Sequence, residues 1–164
     1  MKAQKVLISV GANVGNKIKN CLAGIGAVEA LNDCKVIKRS RFYINEPVGF
    51  EEQDWFVNAA INIETGLKPH ALLDSLQAIQ IECGCHRKAV RFGPRCLDLD
   101  IILIDGVILN TPRLTVPHPR MHDRRFVLQP ICDIDPDNIH PVLKKDMATL
   151  LKCLDGDGQR MIAF

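Results

Sequence analysis

Net charge is nearly absent from this sequence. Twenty-one Lys and Arg against 19 Asp and Glu leave a formal +2 over 164 residues. Bulk electrostatics therefore gives no argument for nucleic acid or an anionic membrane, and any attraction for anions must come from local clustering. Long apolar runs are also lacking. The N-terminal run ends at Val10 with no small-residue cleavage site after it, and Ile101–Ile104 is cut off by Asp105. Neither can span a bilayer or be read as a secretion signal, so a cytoplasmic protein is expected. A second cysteine cluster is missing too. Seven cysteines, at 21, 34, 83, 85, 96, 132 and 153, make an odd number that does not suit a disulfide scaffold. Cys83-Gly84-Cys85-His86 offers soft ligands, but a zinc site needs wider spacing and a second pair. These thiols read as small apolar residues. There is no repeat, low-complexity tract or linker, and a single domain over residues 1–164 is expected.

What is present is an alternation of strand and helix patterns. Lys5 to Val10 is β-branched and apolar, and it ends in the turn-forming Gly11-Ala12-Asn13-Val14-Gly15-Asn16. Ile18, Cys21, Leu22, Ile25, Val28 and Leu31 recur at helical spacing. Strands are predicted over Cys34 to Tyr43 and Trp55 to Thr65, with a loop over Asn45 to Asp54. Pro69 suits the first position of a helix carrying Leu72, Leu73, Leu76, Ile79 and Cys83. A basic loop, Arg87 to Cys96, precedes a strand over Leu97 to Ile104, and Val107-Ile108-Leu109 is placed to pair back across Asp105-Gly106. Helices are predicted around Arg124 to Ile131 and Lys144 to Cys153. This order is α+β and matches the ferredoxin-like arrangement, with helices packed on one face of an antiparallel sheet.

Chemistry concentrates at Leu97-Asp98-Leu99-Asp100-Ile101. Side chains alternate along a strand, so Asp98 and Asp100 share one face and the aliphatic residues take the other. Two neighbouring carboxylates repel, and a hard divalent cation relieves that repulsion; magnesium favours one or two carboxylates with water and substrate phosphates. A solvated strand face would show the same alternation. The preceding Arg87, Lys88, Arg91 and Arg95 shift the balance, since guanidinium forks match phosphate oxygens. Metal on one side of a polyphosphate and arginine on the other is the division of labour that phosphoryl transfer requires. His118 and Arg124, within Val116-Pro117-His118-Pro119-Arg120 and Asp123-Arg124-Arg125-Phe126, are further phosphate candidates. Aromatics are scarce, at 5% of residues, so Phe56 and Phe126 stand out. A phenyl ring is more often core, yet Asn58 shares a strand face with Phe56, a pairing suited to a flat heterocycle.

Four segments together resemble one family. Arg91-x-Gly93-Pro94-Arg95-x-x-Asp98-Leu99-Asp100-Ile101-Ile102 is similar to the signature of 6-hydroxymethyl-7,8-dihydropterin pyrophosphokinases. Ser9 to Gly15 resembles their N-terminal turn, Glu46-Pro47-Val48-Gly49 with Gln53, Phe56 and Asn58 their pterin loop and strand, and Val116 to Val127 their closing segment. The resemblance implies a monomer with a ferredoxin-like fold that moves pyrophosphate from ATP to the pterin hydroxymethyl group, in folate biosynthesis, releasing AMP. It implies two magnesium ions on Asp98 and Asp100. Pterin contacts fall on Asn45, Pro47, Val48, Phe56, Asn58 and Phe126, with Phe56 and Phe126 sandwiching the ring system. ATP contacts fall on Gln77, Arg87, Arg95, Ile101, Arg113, Thr115, His118 and Arg124, and Arg87 and Arg95 also join the catalytic set in or beside a closing loop. Neither nucleic acid nor membrane is implied as a partner. The chain departs from the family at Asn45 (threonine is frequent), Gln80 (an acid is usual), Cys85 (arginine) and Phe92 (tryptophan).

Overall fold

The computed structural model describes residues 2–46, 52, 54–84, 94–156 and 159–164. Pro47, Val48 and Arg87 lie outside the described residues, as do Gln53, Cys85, Phe92 and most of the basic loop.

A central strand, β1 (Gln4–Ala12), carries the sheet. It is antiparallel to β4 (Phe56–Thr65) on one side and to β5 (Asp98–Ile104) on the other. The outer neighbour of β4 is divided into β2 (Cys34–Arg39) and β3 (Tyr43–Asn45), so the second expected strand is interrupted. Ser40 bridges the break: its amide gives to Ala60 O at 2.9 Å, and its hydroxyl accepts from Ala60 N at 2.8 Å. A strand that the sequence pattern did not show, β8 (Met161–Ala163), pairs with the free edge of β3. Three residues are too few for a period to register.

The helix α1 (Lys17–Glu29) starts where Asn16 accepts a hydrogen bond from Lys19 N, and it buries Cys21, Gly24, Ile25 and Val28, one stripe at helical spacing. The helix α2 (Pro69–Glu82) has proline at its first turn and buries Leu72, Leu76 and Ile79. Both cover the face formed by Val6, Ile8, Val10, Ile61, Ile63, Leu99 and Ile101. The opposite face is not bare, contrary to the expected one-sided packing. There α3 (Arg125–Ile134) and α4 (Met147–Lys152) cover Leu7, Ala60, Ile102 and Leu103 with Val127, Leu128, Ile131, Met147 and Leu150. Leu7, Ala60 and Leu103 have no other way to leave water, and a second helical layer removes them from it.

Two details shape the site. The β1–β5 register slips between Leu7 and Ile8, which pair with Leu103 and Ile101, so Ile102 is a bulge residue. Ile102 and Leu103 therefore both enter the α3 core, and Ile104 returns to the α1 side. The expected pairing of Leu109 back onto β5 does not occur. Leu109–Asn110 (β6) instead pairs with Thr115–Val116 (β7) as a separate ribbon.

Candidate active site

One end of the α3-side face is left open as a cleft of about 280 Å³. Its floor is the sheet itself. Gly11 of β1 pairs with Asn58 of β4 and with Asp98 of β5, making a row Asp98–Gly11–Asn58. Ser9 pairs with Asp100 in the next row. Two strand spacings put Asp98 about 10 Å from Asn58, backbone to backbone. Gly11 keeps the floor low: a Cβ there would stand 2.7 Å from Asn58 Oδ1.

The alternation expected of β5 holds. Asp98 and Asp100 line the cleft, while Leu97, Leu99 and Ile101 are buried in the core under α1 and α2. Because β5 is an edge strand, it exposes main-chain groups on its outer side. The Leu99 amide between the two acids gives its hydrogen to Gln80 Oε1 of α2 at 2.6 Å. Gln80, one of the departures from the family pattern, therefore holds the backbone that carries the carboxylates. Arg95 is fixed through its main chain: its N–H gives to Asn13 Oδ1 at 2.8 Å, and its carbonyl accepts from Asn13 N at 2.9 Å. The glycine- and asparagine-rich turn after β1 thus anchors the end of the basic loop.

The wall opposite the acids comes from the segment between β7 and α3. His118 N gives to Ile102 O at 2.8 Å, hooking this segment onto β5 beside the bulge. His118 Nδ1 accepts from Arg120 N at 3.1 Å, which leaves the ring proton on Nε2. Burial, then the charges of Arg124 and Arg120, push the His118 pKa down to about 4, against a smaller opposing pull from Asp98. His118 is therefore a neutral donor at pH 7. Burial and then Arg120 lower the pKa of Arg124, with Asp100 and Asp98 acting the other way. The two acids and this guanidinium feel one another across the cleft. The Arg124 guanidinium carbon also lies 5.4 Å from the Phe126 ring centre.

At the other end of the floor, Asn58 Nδ2 gives to Asn45 Oδ1, and Asn45 Nδ2 gives to the Glu46 carbonyl at 3.0 Å. Both amides are buried, and Phe56 and Phe126 line the cleft beside them. Asn45 is an end residue of β3 rather than a loop residue, paired with Phe56.

The cleft thus gathers Asn45, Phe56, Asn58, Arg95, Asp98, Asp100, His118, Arg124 and Phe126 of the expected set. Four described members do not line it. Ile101 is a core side chain at 3% exposure. Gln77 is exposed on α2, one turn from Asp74, and Arg113 forms an ion pair with Asp74. Thr115 gives its hydroxyl to Asn110 Oδ1 across the β6–β7 ribbon at 3.3 Å. Conversely, Ser9, Gly11 and Arg120 line the cleft without having been expected there, and Asn13 and Gln80 support it. One of these carried a sequence signal, Gln80 as a polar residue on the apolar stripe of a helix, whereas Gly11, expected to open the turn after the first strand, lies within β1.

Carboxylates facing half-buried arginine at one end, and paired amides with two phenyl rings at the other, make a cleft whose chemistry suits an anionic group joined to a flat heterocycle. The model of the family 7,8-dihydro-6-hydroxymethylpterin-pyrophosphokinase matches residues 7–136. The 2-amino-4-hydroxy-6-hydroxymethyldihydropteridine pyrophosphokinase of Pseudomonas aeruginosa is 42% identical over 134 residues, 82% of each chain. The folic acid synthesis protein fol1 of Pneumocystis carinii is 40% identical over 162 residues, 98% of this chain but 22% of that longer protein. Among solved structures, a Plasmodium falciparum HPPK-DHPS superposes with a TM-score of 0.74 at 11% identity, over 96% of this chain and 45% of that one; the likeness shows the fold alone. This chain belongs to the 7,8-dihydro-6-hydroxymethylpterin-pyrophosphokinase family.

Proposed function

We propose that the cleft transfers the pyrophosphoryl group of ATP to the hydroxymethyl oxygen of 6-hydroxymethyl-7,8-dihydropterin, giving AMP and the pterin pyrophosphate for folate biosynthesis. Family membership supports the reaction. The observation that carries the assignment of ends is the row Asp98–Gly11–Asn58, which sets the acids and the amide on one floor with nothing rising between them.

The pterin lies over Gly11. Asn58 and Asn45 meet its hydrogen-bonding edge, and Phe56 and Phe126 meet its faces. Pro47 and Val48, outside the described residues, are further pterin contacts in this proposal. The ring is thereby held with its hydroxymethyl arm toward Asp98. Asp98 and Asp100 fit magnesium by their chemistry: two half-buried carboxylates on one strand face, opposite cationic side chains, with room for phosphate oxygens and water. No group of three or more His, Cys, Asp or Glu side chains suited to a metal occurs among the described residues. The reading carries two magnesium ions, which when bound neutralise phosphate charge. Arg95, Arg124 and Arg87 take the phosphates from the other side, and His118 offers its Nε2 proton to an oxygen. Gln77, Arg113 and Thr115 take the nucleoside on the α2 side, where Ile101 offers only main-chain groups. The hydroxymethyl oxygen then attacks the β-phosphorus in line and gives up its proton to solvent, the bridge to the α-phosphate breaks, and AMP leaves with that bridging oxygen. Catalysis is positioning and charge neutralisation. The order β5–β1–β4–β3 supports a ferredoxin-like core. No described helix is long and apolar enough to cross a membrane. The reading completes as one domain over residues 1–164, a cytoplasmic monomer without nucleic-acid or membrane partners.

Incubation with ATP, magnesium and the pterin alcohol tests it. AMP should form only when the pterin is present; ADP with free phosphate, or binding without turnover, would overturn the reading. Asp98→Ala or Asp100→Ala should lower kcat/KM by roughly 10³-fold, the scale of losing several kcal/mol of charge stabilisation. Full activity in either variant would sink the metal assignment.

A further inference from the structure

Residues beyond 136 fall outside the matched family model, yet the end of the chain reaches both sides of the acceptor end of the cleft. We infer that residues 154–156 and 159–164 form a positioning element for the heterocycle site, an inference that rests on the acceptor reading given above.

On the sheet side, β8 pairs with β3 so that Met161 stands opposite Asn45, whose amide oxygen holds Asn58. Phe164 N gives to Phe42 O at 3.1 Å, and the two phenyl rings stack at 6.2 Å, which closes the far end of the pairing. Arg160 gives from Nε and Nη2 to Glu46 Oε1, at 2.6 and 2.5 Å. Its guanidinium carbon lies 5.4 Å from the ring centre of Trp55, the neighbour of Phe56. On the helix side, the contacts converge on Arg125, the neighbour of Phe126. Arg125 N gives to Gln159 Oε1 at 3.2 Å, Arg125 Nη2 gives to Leu154 O at 2.6 Å, and the Asp155 carboxylate lies 3.6 Å from the same nitrogen.

The geometry matters because the two rings come from different elements, Phe56 from β4 and Phe126 from the first turn of α3. Below the rim, α3 meets the sheet through the buried core and through the Tyr43 hydroxyl of β3 bonded to Asp133; at the rim, the residues that span from β3 to Arg125 are in a position to set the spacing between the rings. Gln159 and Arg160 are consecutive, and one reaches each side. Exposed ion pairs of this kind contribute little one at a time, so the element acts through the sum of strand pairing, stacking and both anchors. Its anchors at Asn45, Glu46 and Trp55 belong to the acceptor end, and Arg125 stands between Phe126 and the phosphate-facing Arg124.

The test compares steady-state kinetics of the wild-type chain, a Gln159→Ala/Arg160→Ala variant, Arg160→Lys, and a chain lacking residues 159–164, with ATP and the pterin alcohol varied separately. The KM for the pterin should rise about threefold in the double variant and about tenfold in the shortened chain, with the KM for ATP within about twofold of wild type. Arg160→Lys should restore part of any loss due to Arg160. Equal increases in both KM values, or none in either, would overturn the inference. Should the shortened chain fail to fold, the double variant decides. Phe126→Ala separates the two levels. If it leaves the pterin KM unchanged, the acceptor reading itself fails; if it raises that KM while the tail variants do not, only the positioning role fails.

Discussion

Gly11 and His118 show how much a single position does here. Gly11 has no Cβ to lift the floor of the cleft, and any side chain would collide with the Asn58 amide at 2.7 Å. Because Asn58 is buried and tied to Asn45, it has little freedom to step aside. Gly11→Ala should therefore raise the pterin KM by about tenfold and also lower the melting temperature, with the KM for ATP changed less, measured by kinetics beside a thermal melt. His118 makes a different statement. Its folded pKa, about 4, lies below the usual value of 6.5, so the unfolded chain binds the proton more readily across that interval. The destabilising effect is absent above pH 6.5, grows as pH falls, and is complete near pH 4. Stability measured by denaturant titration should rise between pH 4 and 6.5, and His118→Gln should flatten that slope. The rate should show no loss near pH 6.5 attributable to this ring, because it stays neutral there.

At the scale of elements, β5 carries the two cleft carboxylates and is also a sheet edge, and the two roles conflict. An edge strand has unpaired main-chain donors and is free to shift, whereas paired carboxylates need a fixed spacing. Gln80 resolves this from α2 by accepting the Leu99 amide, and the Ile102 bulge lets the strand re-enter the core just beyond the acids. Gln80→Leu should leave that buried amide without a partner and destabilise the protein by about 1–3 kcal/mol. It should also raise the magnesium concentration needed for half-maximal rate. Gln80→Glu keeps an acceptor oxygen and should retain more of both. A normal magnesium dependence in Gln80→Leu would mean that the strand holds its acids without this contact. The helix α3 carries a second compromise. Pro130 has no N–H for the Phe126 carbonyl one turn back, and its ring is buried among the helix's other apolar residues.

At the scale of the whole molecule, one sheet separates two apolar cores, and the cleft opens where the α3-side core ends. Of the described cysteines, Cys21 is buried, Cys34, Cys83, Cys96 and Cys132 are half-buried, and Cys153 is exposed. Burial raises the Cys21 pKa to about 12 and the Cys132 pKa to about 11, the latter also through Asp133 and Asp146. The native protein at pH 7 should react rapidly with a thiol reagent at exposed Cys153 and slowly at Cys21. Its melting temperature should be the same with and without reductant. Rapid labelling of Cys21 would indicate that the core under α1 opens far more often than its packing implies.

The sequence alone determined the main elements and the side chains they present, because period-2 and helical patterns are local consequences of burial. Asp98 and Asp100 on one face, Leu99 and Ile101 on the other, are legible without coordinates. Similarity of motifs extended this to the reaction and to most of the cleft. Tertiary structure decided what depends on residues far apart in the chain. The pairing of Gly11 with both Asn58 and Asp98 is of this kind, as are the caps that Asn13 and Gln80 place on remote main-chain groups. So are the second helical layer and the three-residue strand at the C-terminal end. Asp98 and Asp100 could be read from the chain as a pair of acids; that they stand on a held edge strand, two strand spacings from a pair of amides, follows only from the register of the sheet.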